Sequence, residues 1–233
     1  MKILLAGSGK VGTALKFFFE KNNVPFKVHL KDKKPEGDVI FLALPDSSIK
    51  SSVKDISSGN KEIKIVQFTP AVELVHPNQF VLHPYASISK ETDMTTIFFT
   101  LWGKRDSVLE GILNECGFNY FYAGDFPGSG YHTSAVIAGN FTQFFYLAAR
   151  QILEKEGFSD LQCEKLISQL IDTSLRNIIS SGVDGITGPA SRGDTGTVEK
   201  DSSFLDSENR DFAIIFKKIN ELITKAVKSG NIF

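Results

Sequence analysis

Residues 2–15 read Lys2-Ile-Leu-Leu-Ala-Gly7-Ser8-Gly9-Lys10-Val11-Gly12-Thr-Ala-Leu15. The apolar run from Ile3 to Ala6 has no polar alternation, which is typical of a strand covered on both faces of a parallel sheet. The three glycines that follow fit the pattern G-x-G-x-x-G, and residues 13–19 can continue as a helix. This stretch therefore predicts a strand, a glycine turn and a helix in immediate succession.

Each glycine of the turn has its own predicted role. Gly7 permits the tight turn, Gly9 lets a pyrophosphate approach the backbone, and Gly12 lets the helix pack closely on the strand. The amides that open the helix then face the anion. We therefore predict that a dinucleotide binds through its phosphates to Gly7, Ser8, Gly9, Lys10, Val11 and Gly12. The alternative is a glycine turn in an α/β domain that binds nothing.

The composition of the 233-residue chain is that of a soluble globular protein, with 42% hydrophobic and 23% charged residues. A formal net charge of -1 indicates neither nucleic acid nor a membrane surface as a partner. Cys116 and Cys163 form no C-x-x-C motif, so neither a disulfide framework nor a metal site is indicated. The sequence shows no signal-like start and no apolar segment of bilayer length, and we expect a cytoplasmic protein.

The second predicted strand, residues 26–30, ends where a dinucleotide-binding protein selects its cofactor. Asp32 lies where an acid would hydrogen-bond a ribose 2′-hydroxyl, which favours NAD. Lys31, Lys33 and Lys34 surround it and favour the 2′-phosphate of NADP. Three cations against one carboxylate favour NADP, and a solvated charge run on a loop is the alternative.

The third predicted strand, residues 38–44, follows the second very closely. The link between Leu30 and Asp38 has no room for a crossover helix, which with its loops needs about a dozen residues. An extended link of about eight residues spans roughly 26 Å, enough to return across the sheet. We therefore predict that the second strand forms an edge of the sheet and that the adenosine side of the groove is unusually open.

Polar groups follow several of the predicted strands, at the edge of the sheet where a cofactor groove would run. Leu44 and Pro45 end the third strand, Thr69 follows a strand at residues 62–68, and His83 ends a strand at residues 80–84. Leu44, Pro45 and Thr69 are predicted cofactor contacts, and His83 is a candidate catalytic residue near the nicotinamide. A turn or a structural hydrogen bond is the alternative role for a histidine before proline. The other elements predicted for this half are helices at 47–56 and 107–116 and strands at 96–101 and 119–122.

Beyond residue 126 the sequence changes from predicted strands to predicted helices. The helices cover residues 131–156, 161–180 and 209–228, and a glycine-rich loop at residues 182–201 interrupts them. Apolar residues at helical spacing include Leu166, Leu170, Ile171 and Leu175. We therefore predict an α/β domain with a mostly parallel sheet over residues 1–126 and an all-helical domain over residues 127–233, with the boundary near Pro127.

The helical half offers two groups of polar side chains for chemistry. His132 and Asn140 lie eight residues apart on the first long helix, about 80° around its axis, so both can face the cleft. His132 is a candidate proton donor because an imidazole titrates near neutral pH, and a packing or capping histidine is the alternative. Arg192 could hold a carboxylate or phosphate in a fork, or it could pair with Asp194 and fix the loop.

These motifs resemble those of a bacterial protein family. Five segments match successive motifs of that family in order: residues 7–15, 42–46, 82–84, 131–140, and 187–194 with 197–199. Members join a Rossmann-like domain to a helical domain of unknown function and are described as candidate NADP oxidoreductases. More distantly, the layout is similar to pyrroline-5-carboxylate reductase and to the 6-phosphogluconate dehydrogenase group. The resemblance implies a homodimer through the helical domain, with the Arg192 loop acting in its own or the partner's site.

One departure from the dehydrogenases concerns the first long helix. Those enzymes carry a lysine one helical turn before an asparagine, whereas Val136 precedes Asn140 by four residues here. Our leading hypothesis is an NADP(H)-dependent oxidoreductase for a small carbonyl or imine acid, in which His132 exchanges the proton and Asn140 and Arg192 orient the substrate. The alternative, favoured by the missing lysine, is a non-catalytic dinucleotide-binding or sensing homodimer.

Overall fold

The computed structural model describes residues 1–30, 33–126 and 128–233, which pack into two compact units, residues 1–143 and 144–233. Residues 128–143 therefore pack with the N-terminal unit, although we assigned them to the helical domain. The predicted boundary residue, Pro127, lies outside the described residues. The division into domains at residues 126 and 127 stays a prediction.

A mixed sheet of seven strands lies at the centre of the described part of the first unit. The strands are β1 (Ile3–Ala6), β2 (Phe26–Val28), β3 (Val39–Leu42), β4 (Lys64–Gln67), β5 (Gln79–Pro84), β6 (Phe98–Trp102) and β7 (Asn119–Gly124). Their order in the sheet is β2-β1-β3-β4-β5-β6-β7. Neighbouring strands are parallel except β5 and β6, which are antiparallel. The predicted Rossmann-like, mostly parallel sheet is confirmed.

Helices cover both faces of this sheet. The described α-helices that begin in the first unit are α1 (Lys10–Lys21), α2 (Asp46–Gly59), α3 (Ser107–Cys116), α4 (Ser129–Ala135) and α5 (Thr142–Lys155). Successive residues of a strand face opposite sides of a sheet. Leu5 accordingly shares a buried cluster with Phe18 of α1, whereas Leu4 shares another with Val53 of α2. The sheet is thus a buried middle layer, as the unbroken apolar run of β1 predicts.

The short link after β2 has the predicted effect on the sheet. β2 pairs with β1, and β3 pairs with the other side of β1. Residues 33–38 form no helix. β2 therefore stands at the end of the strand order, which confirms the predicted sheet edge.

The second unit is helical, as predicted for the C-terminal part of the chain. Apart from the rest of α5, its described α-helices are α6 (Asp160–Ser181), α7 (Pro189–Arg192), α8 (Thr195–Glu208) and α9 (Arg210–Ser229). The predicted loop at residues 182–201 is wrong in part, because α7 lies within it and α8 begins there. Asp194 caps α8 by accepting hydrogen bonds from the backbone N–H of Thr197, 3.1 Å away, and from its Oγ1, 2.7 Å away.

The prediction of one unbroken α-helix over residues 131–156 is also wrong. Between α4 and α5 the backbone forms a π-helical segment, Val136–Phe141. A π-helix has i→i+5 hydrogen bonds, and such segments arise where one extra residue is inserted into a helix. In the described part of the chain, no helix is long and apolar enough to cross a membrane.

Candidate functional site

The turn between β1 and α1 is closed by two glycines that have no room for a side chain. Gly7 has φ +113°, and a Cβ atom there would lie 2.0 Å from the carbonyl oxygen of Ala43. A Cβ atom on Gly12 would lie 2.3 Å from the carbonyl oxygen of Gly7. Since real Cβ atoms never approach backbone oxygen so closely, the first and third glycines of the motif let α1 pack on the turn.

Gly9 lies in open space, unlike its two neighbours in the motif. A Cβ atom on Gly9 would meet no atom of the described residues within 4 Å. Gly9 is the N-cap residue of α1, and no side chain caps this end of the helix. Ser8 and Lys10 are exposed, and Val11 is half-buried. The start of α1 therefore remains accessible to an anion, which is the geometry that a phosphate site needs.

A cavity of about 250 Å³ lies beside this turn, between the ends of β1 and β2 and the first turns of α2. Gly7, His29 and Leu44 line it together with hydroxyl and carboxylate groups of α2, namely Ser48, Ser51, Ser52 and Asp55. Burial lowers the pKa of His29. Sequence reasoning found Gly7 and Leu44 but missed His29 and the α2 side chains. The α2 side chains are three and four residues apart, which places them on one helix face, and this spacing is the signal that could have found them.

The carboxyl ends of β3, β4 and β5 meet at the same edge of the sheet as this turn, because these strands are parallel to β1. Pro45 follows β3 and is exposed. Thr69 follows β4, His83 is the next-to-last residue of β5, and both are half-buried. The topology therefore places the three predicted groups along one edge. In open α/β sheets, ligands bind in the crevice outside this edge.

The loop after β4 is held by two buried glutamines. The Gln67 side-chain amide donates to the carbonyl oxygens of Thr69 and Val72, at 2.8 and 2.7 Å. Its own oxygen accepts from Gln79 Nε2 at 2.6 Å, and Gln79 Oε1 accepts from the backbone N–H of Val75 at 2.7 Å. A buried network with every polar group paired is rigid, so Thr69 is presented by a fixed loop.

A second polar cluster surrounds His83 and includes residues that sequence reasoning missed. His83 pairs with Thr100 across the antiparallel β5–β6 ladder, and Trp102 lies two residues farther along β6, on the same face. Tyr131 of α4 completes the cluster: its hydroxyl lies 2.8 Å from His83 Nδ1 and 2.6 Å from Thr100 Oγ1. Trp102 Nε1 donates to Thr100 Oγ1 at 3.0 Å.

Aromatic rings enclose the Tyr131 side chain. The ring centroids of Trp102, His83 and Tyr85 lie 5.2, 5.4 and 5.5 Å from that of Tyr131. The Tyr85 hydroxyl is directed to another group and lies 2.7 Å from Ser134 Oγ. Burial raises the pKa of Tyr131. Tyr131 precedes the predicted catalytic residue His132, and this position is the only sequence feature that points to it. The contacts of the Tyr131 side chain with β5 and β6 could not be predicted from the sequence.

The two histidines of this region lie in different environments. Burial, followed by the charge of nearby His132, lowers the pKa of His83 to about 4. His132 is exposed on α4, and Asn140 is exposed in the π-helical segment. The predicted angle of about 80° between them assumed an α-helix, and the π-helical segment invalidates that geometry.

The remaining candidates are charged side chains. Arg192 ends α7 and is exposed. Thr197 holds the Asp194 carboxylate by two hydrogen bonds. These hydrogen bonds, with a smaller contribution from the charge of Arg192, lower the pKa of Asp194. Lys33 is exposed, whereas Lys31 and Asp32 lie outside the described residues.

A sequence comparison places the chain in a known family. Residues 97–223 match the family described as Domain of unknown function (DUF2520). This is the part of the chain that holds β6, Tyr131, His132, Asn140 and Arg192. No curated protein matches the sequence of the chain.

Solved structures share the fold over nearly the whole chain. A candidate NADP oxidoreductase from Bacteroides fragilis, BF3122, has a TM-score of 0.79 and 19% identity over 96% of this chain and 98% of that chain. A reductive aminase from Aspergillus terreus in complex with NADPH and ethyl levulinate has a TM-score of 0.66 and 17% identity, with coverage of 99% and 94%. For the Plasmodium falciparum pyrroline carboxylate reductase with NADP bound, the values are 0.57 and 15%, with coverage of 98% and 97%. These similarities confirm the predicted fold.

Proposed function

The chain belongs to the DUF2520 family, and we propose that it is an NADP(H)-dependent oxidoreductase that acts on a small carbonyl or imine acid. The observation that carries the proposal is the turn at the start of α1, in which Gly7 and Gly12 are closed by contacts while Gly9 is open. A helix start without a side-chain cap is suited to a phosphate. Among proteins of this fold, the Aspergillus reductive aminase and the Plasmodium reductase are described with NADPH and NADP bound.

We place the cofactor along the carboxyl edge of the sheet. Its pyrophosphate would lie on residues 7–12, its adenosine in the cavity lined by His29 and α2, and its nicotinamide towards Pro45, Thr69 and His83. The exposed Lys33 supports NADP over NAD, because a lysine ammonium favours the extra 2′-phosphate. In this placement, different groups of the predicted residues contact the pyrophosphate, the adenosine and the nicotinamide.

The chemistry would divide between the cofactor and the side chains. NADPH, when bound, supplies the hydride to the carbonyl or imine carbon. The electron pair of the double bond moves to oxygen or nitrogen, and protonated His132 gives that atom its proton. Asn140 would orient the substrate by hydrogen bonds, and Arg192 would hold its carboxylate, in its own or the partner's site.

Separate titrations of NADPH and NADH, followed by fluorescence, test the cofactor. We expect NADPH to bind more tightly, and tighter NADH binding would contradict the assignment of Lys33. His132→Ala should then abolish NADPH oxidation with a panel of 2-oxo acids and cyclic imines while leaving NADPH affinity unchanged. Thr133→Ala, at the next exposed position of α4, is the matched control and should keep full activity.

A second candidate function is a dinucleotide-binding sensor without catalysis. The observation that favours it is Val136, an apolar residue where the related dehydrogenases have a lysine, at the start of the π-helical segment. A sensor would bind NADPH and show no turnover in the wild-type protein or in His132→Ala. Turnover by the wild-type protein would exclude this function.

We also propose a homodimer formed through the helical unit. α6 has 22 residues, yet its buried residues are Cys163 and Ile167. Large apolar side chains of α6 are exposed, including Leu170 at 67% and Leu175 at 55%. An exposed apolar stripe of this kind marks an interaction surface, and a second copy of the chain presents the same stripe.

The location of the protein stays a prediction. Cys116 and Cys163 are free and buried, and burial raises the pKa of the Cys116 thiol to about 12. Unpaired cysteines suit a reducing compartment such as the cytoplasm.

A further inference from the structure

We propose that His83 is an uncharged hydrogen-bond donor, acting through Nε2–H on the acceptor atom of the substrate, and that Tyr131 is the positioning residue that fixes this tautomer. The inference rests on the proposed function, because it takes the substrate to be a carbonyl or imine compound. It narrows that class to molecules that offer a lone pair, either a carbonyl oxygen or an unprotonated imine nitrogen.

The first step is the direction of the hydrogen bonds, which begins at the indole of Trp102. An indole N–H can only donate, so Thr100 Oγ1 accepts from Trp102 Nε1 at 3.0 Å. The Thr100 hydroxyl proton then has two acceptors, the Tyr131 hydroxyl at 2.6 Å and the His83 carbonyl oxygen at 3.5 Å. The shorter contact is the stronger hydrogen bond, so Thr100 donates to Tyr131.

The second step follows the Tyr131 hydroxyl. With Thr100 donating to it, the Tyr131 proton is directed to His83 Nδ1, 2.8 Å away. In the reverse arrangement Nδ1–H would donate to Tyr131, and the Thr100 proton would be left with the 3.5 Å contact. The forward chain uses each proton in a contact of 3.0 Å or less. Nδ1 is therefore an acceptor, and the ring proton of neutral His83 is on Nε2.

The third step is the charge of the ring. The titratable groups that face His83 are Tyr85, just after the end of β5, and Tyr131 and His132 on α4. None of them is a carboxylate that would stabilise an imidazolium. Burial and the His132 charge lower the pKa of His83 to about 4, so the ring is neutral at physiological pH.

The consequence concerns both the mechanism and the substrate. No described residue is hydrogen-bonded to His83 Nε2, and His83 is the next-to-last residue of β5, at the edge of the sheet where we place the cofactor. A fixed N–H dipole there stabilises negative charge that develops on oxygen or nitrogen during hydride addition. A protonated iminium has no lone pair to accept this hydrogen bond. The proton needed for the product must then come from another group, which agrees with the role proposed for His132.

The tautomer can be tested by NMR of protein labelled with ¹⁵N in its histidine rings, using His83→Gln to identify the His83 signals. We expect wild-type His83 to be the Nε2–H tautomer and to remain neutral from pH 8 to pH 5. Tyr131→Phe and Thr100→Val keep the side-chain shapes and should raise the population of the Nδ1–H tautomer. Tyr85→Phe is the matched control, because its hydroxyl contacts Ser134, and it should leave the His83 signals unchanged.

A kinetic measurement tests the contact with substrate. With NADPH and pyruvate as the probe, Tyr131→Phe should lower kcat about tenfold and change KM little, whereas Tyr85→Phe should match the wild type. Loss of kcat without a tautomer change would overturn the positioning role of Tyr131.

The two proposals fail in different ways. A wild-type Nδ1–H tautomer, or a cationic His83 at neutral pH, overturns the present inference whatever the cofactor titration gives. An Nε2–H tautomer in a protein that binds no NADPH supports the assignment of Tyr131 and overturns the proposed function.

Discussion

Gly9 and Gly12 are three residues apart, yet the space around their Cα atoms differs. Gly9→Ala places a methyl group in open space, so we expect the free energy of unfolding to change by less than about 0.5 kcal/mol. The same methyl group would displace a bound pyrophosphate, and NADPH affinity should fall at least tenfold, or about 1.4 kcal/mol. Urea unfolding and fluorescence titration measure the two effects separately.

Gly12→Ala is the matched control for that prediction. Its methyl group would lie 2.3 Å from the carbonyl oxygen of Gly7, so α1 must shift away from the turn. We expect a loss of about 2–3 kcal/mol in the free energy of unfolding. Unchanged NADPH affinity in Gly9→Ala would show that no phosphate rests on this turn.

Ser202 of α8 is buried, and its hydroxyl has no hydrogen-bond partner among the described residues. A buried hydroxyl without a partner is destabilising, so Ser202→Ala should raise the free energy of unfolding by about 1 kcal/mol. The control is Ser203→Ala, because Ser203 Oγ is exposed and donates to the carbonyl oxygen of Glu199. Urea unfolding at neutral pH should show no gain for this control.

His83 should also make stability depend on pH. Its pKa in the folded protein, about 4, is below the reference value of 6.5, so the unfolded chain binds more protons between these values. The stabilising contribution of neutral His83 is therefore complete above pH 6.5 and is lost as pH falls towards 4. After allowance for solvent screening we expect about 2 kcal/mol. Urea unfolding at pH 7.5 and 4.5 should show a smaller difference for His83→Gln than for the wild type.

At the scale of elements, the sequence predicts most of the strands and the order around β1. The apolar run Ile3–Ala6 and the glycines after it predict β1, the turn and α1. A buried strand requires apolar residues and close backbone packing requires glycine, so both features can be recognised from residue type. The short link before Asp38 predicts that β2 is an edge strand. These features depend on local sequence and chain length, which a single sequence contains.

Strand direction and helix type are harder to predict from the sequence. The pattern of apolar residues in a strand does not depend on the direction of the strand in the sheet. The sequence therefore does not reveal that β6 runs antiparallel to β5 and brings Thr100 opposite His83. Apolar spacing likewise does not distinguish the π-helical segment Val136–Phe141 from an α-helix. The cluster around Tyr131 depends on both features, and sequence analysis therefore missed it.

The loop between β4 and β5 offers a test at this scale. Gln67→Leu removes the donors to Thr69 and Val72 and the acceptor for Gln79. Because these buried groups would lose their partners, we expect the free energy of unfolding to fall by about 2–4 kcal/mol. Hydrogen exchange at the Val75 amide should accelerate as the loop loosens.

The control for this prediction is Asn78→Ala. The Asn78 side chain donates to the carbonyl oxygen of Lys61 at an exposed position. Its loss should cost less than about 1 kcal/mol. Equal losses for Gln67→Leu and Asn78→Ala would contradict the special role of the buried pair.

At the scale of the whole molecule, the proposed homodimer can be broken at one residue. Leu170→Asp puts a charge into the exposed apolar stripe of α6, and we expect a monomer in sedimentation equilibrium where the wild type is a dimer. The control is Gln169→Asp, which adds the same charge on the polar side of the helix and should remain dimeric. A monomeric wild-type protein would contradict the proposal.

The two ends of the sheet have a consequence for solubility. β2 has three residues, too few to template a foreign strand, although Val28 is exposed. β7 is longer, but its pairing with β6 skips Ala123, and such a bulge twists the outer backbone. Both edge strands are therefore poor templates for the addition of a strand from another chain. Amyloid-type growth by strand addition should therefore be suppressed at β2 and at β7. The proposed association of two copies of the chain would use the helices instead.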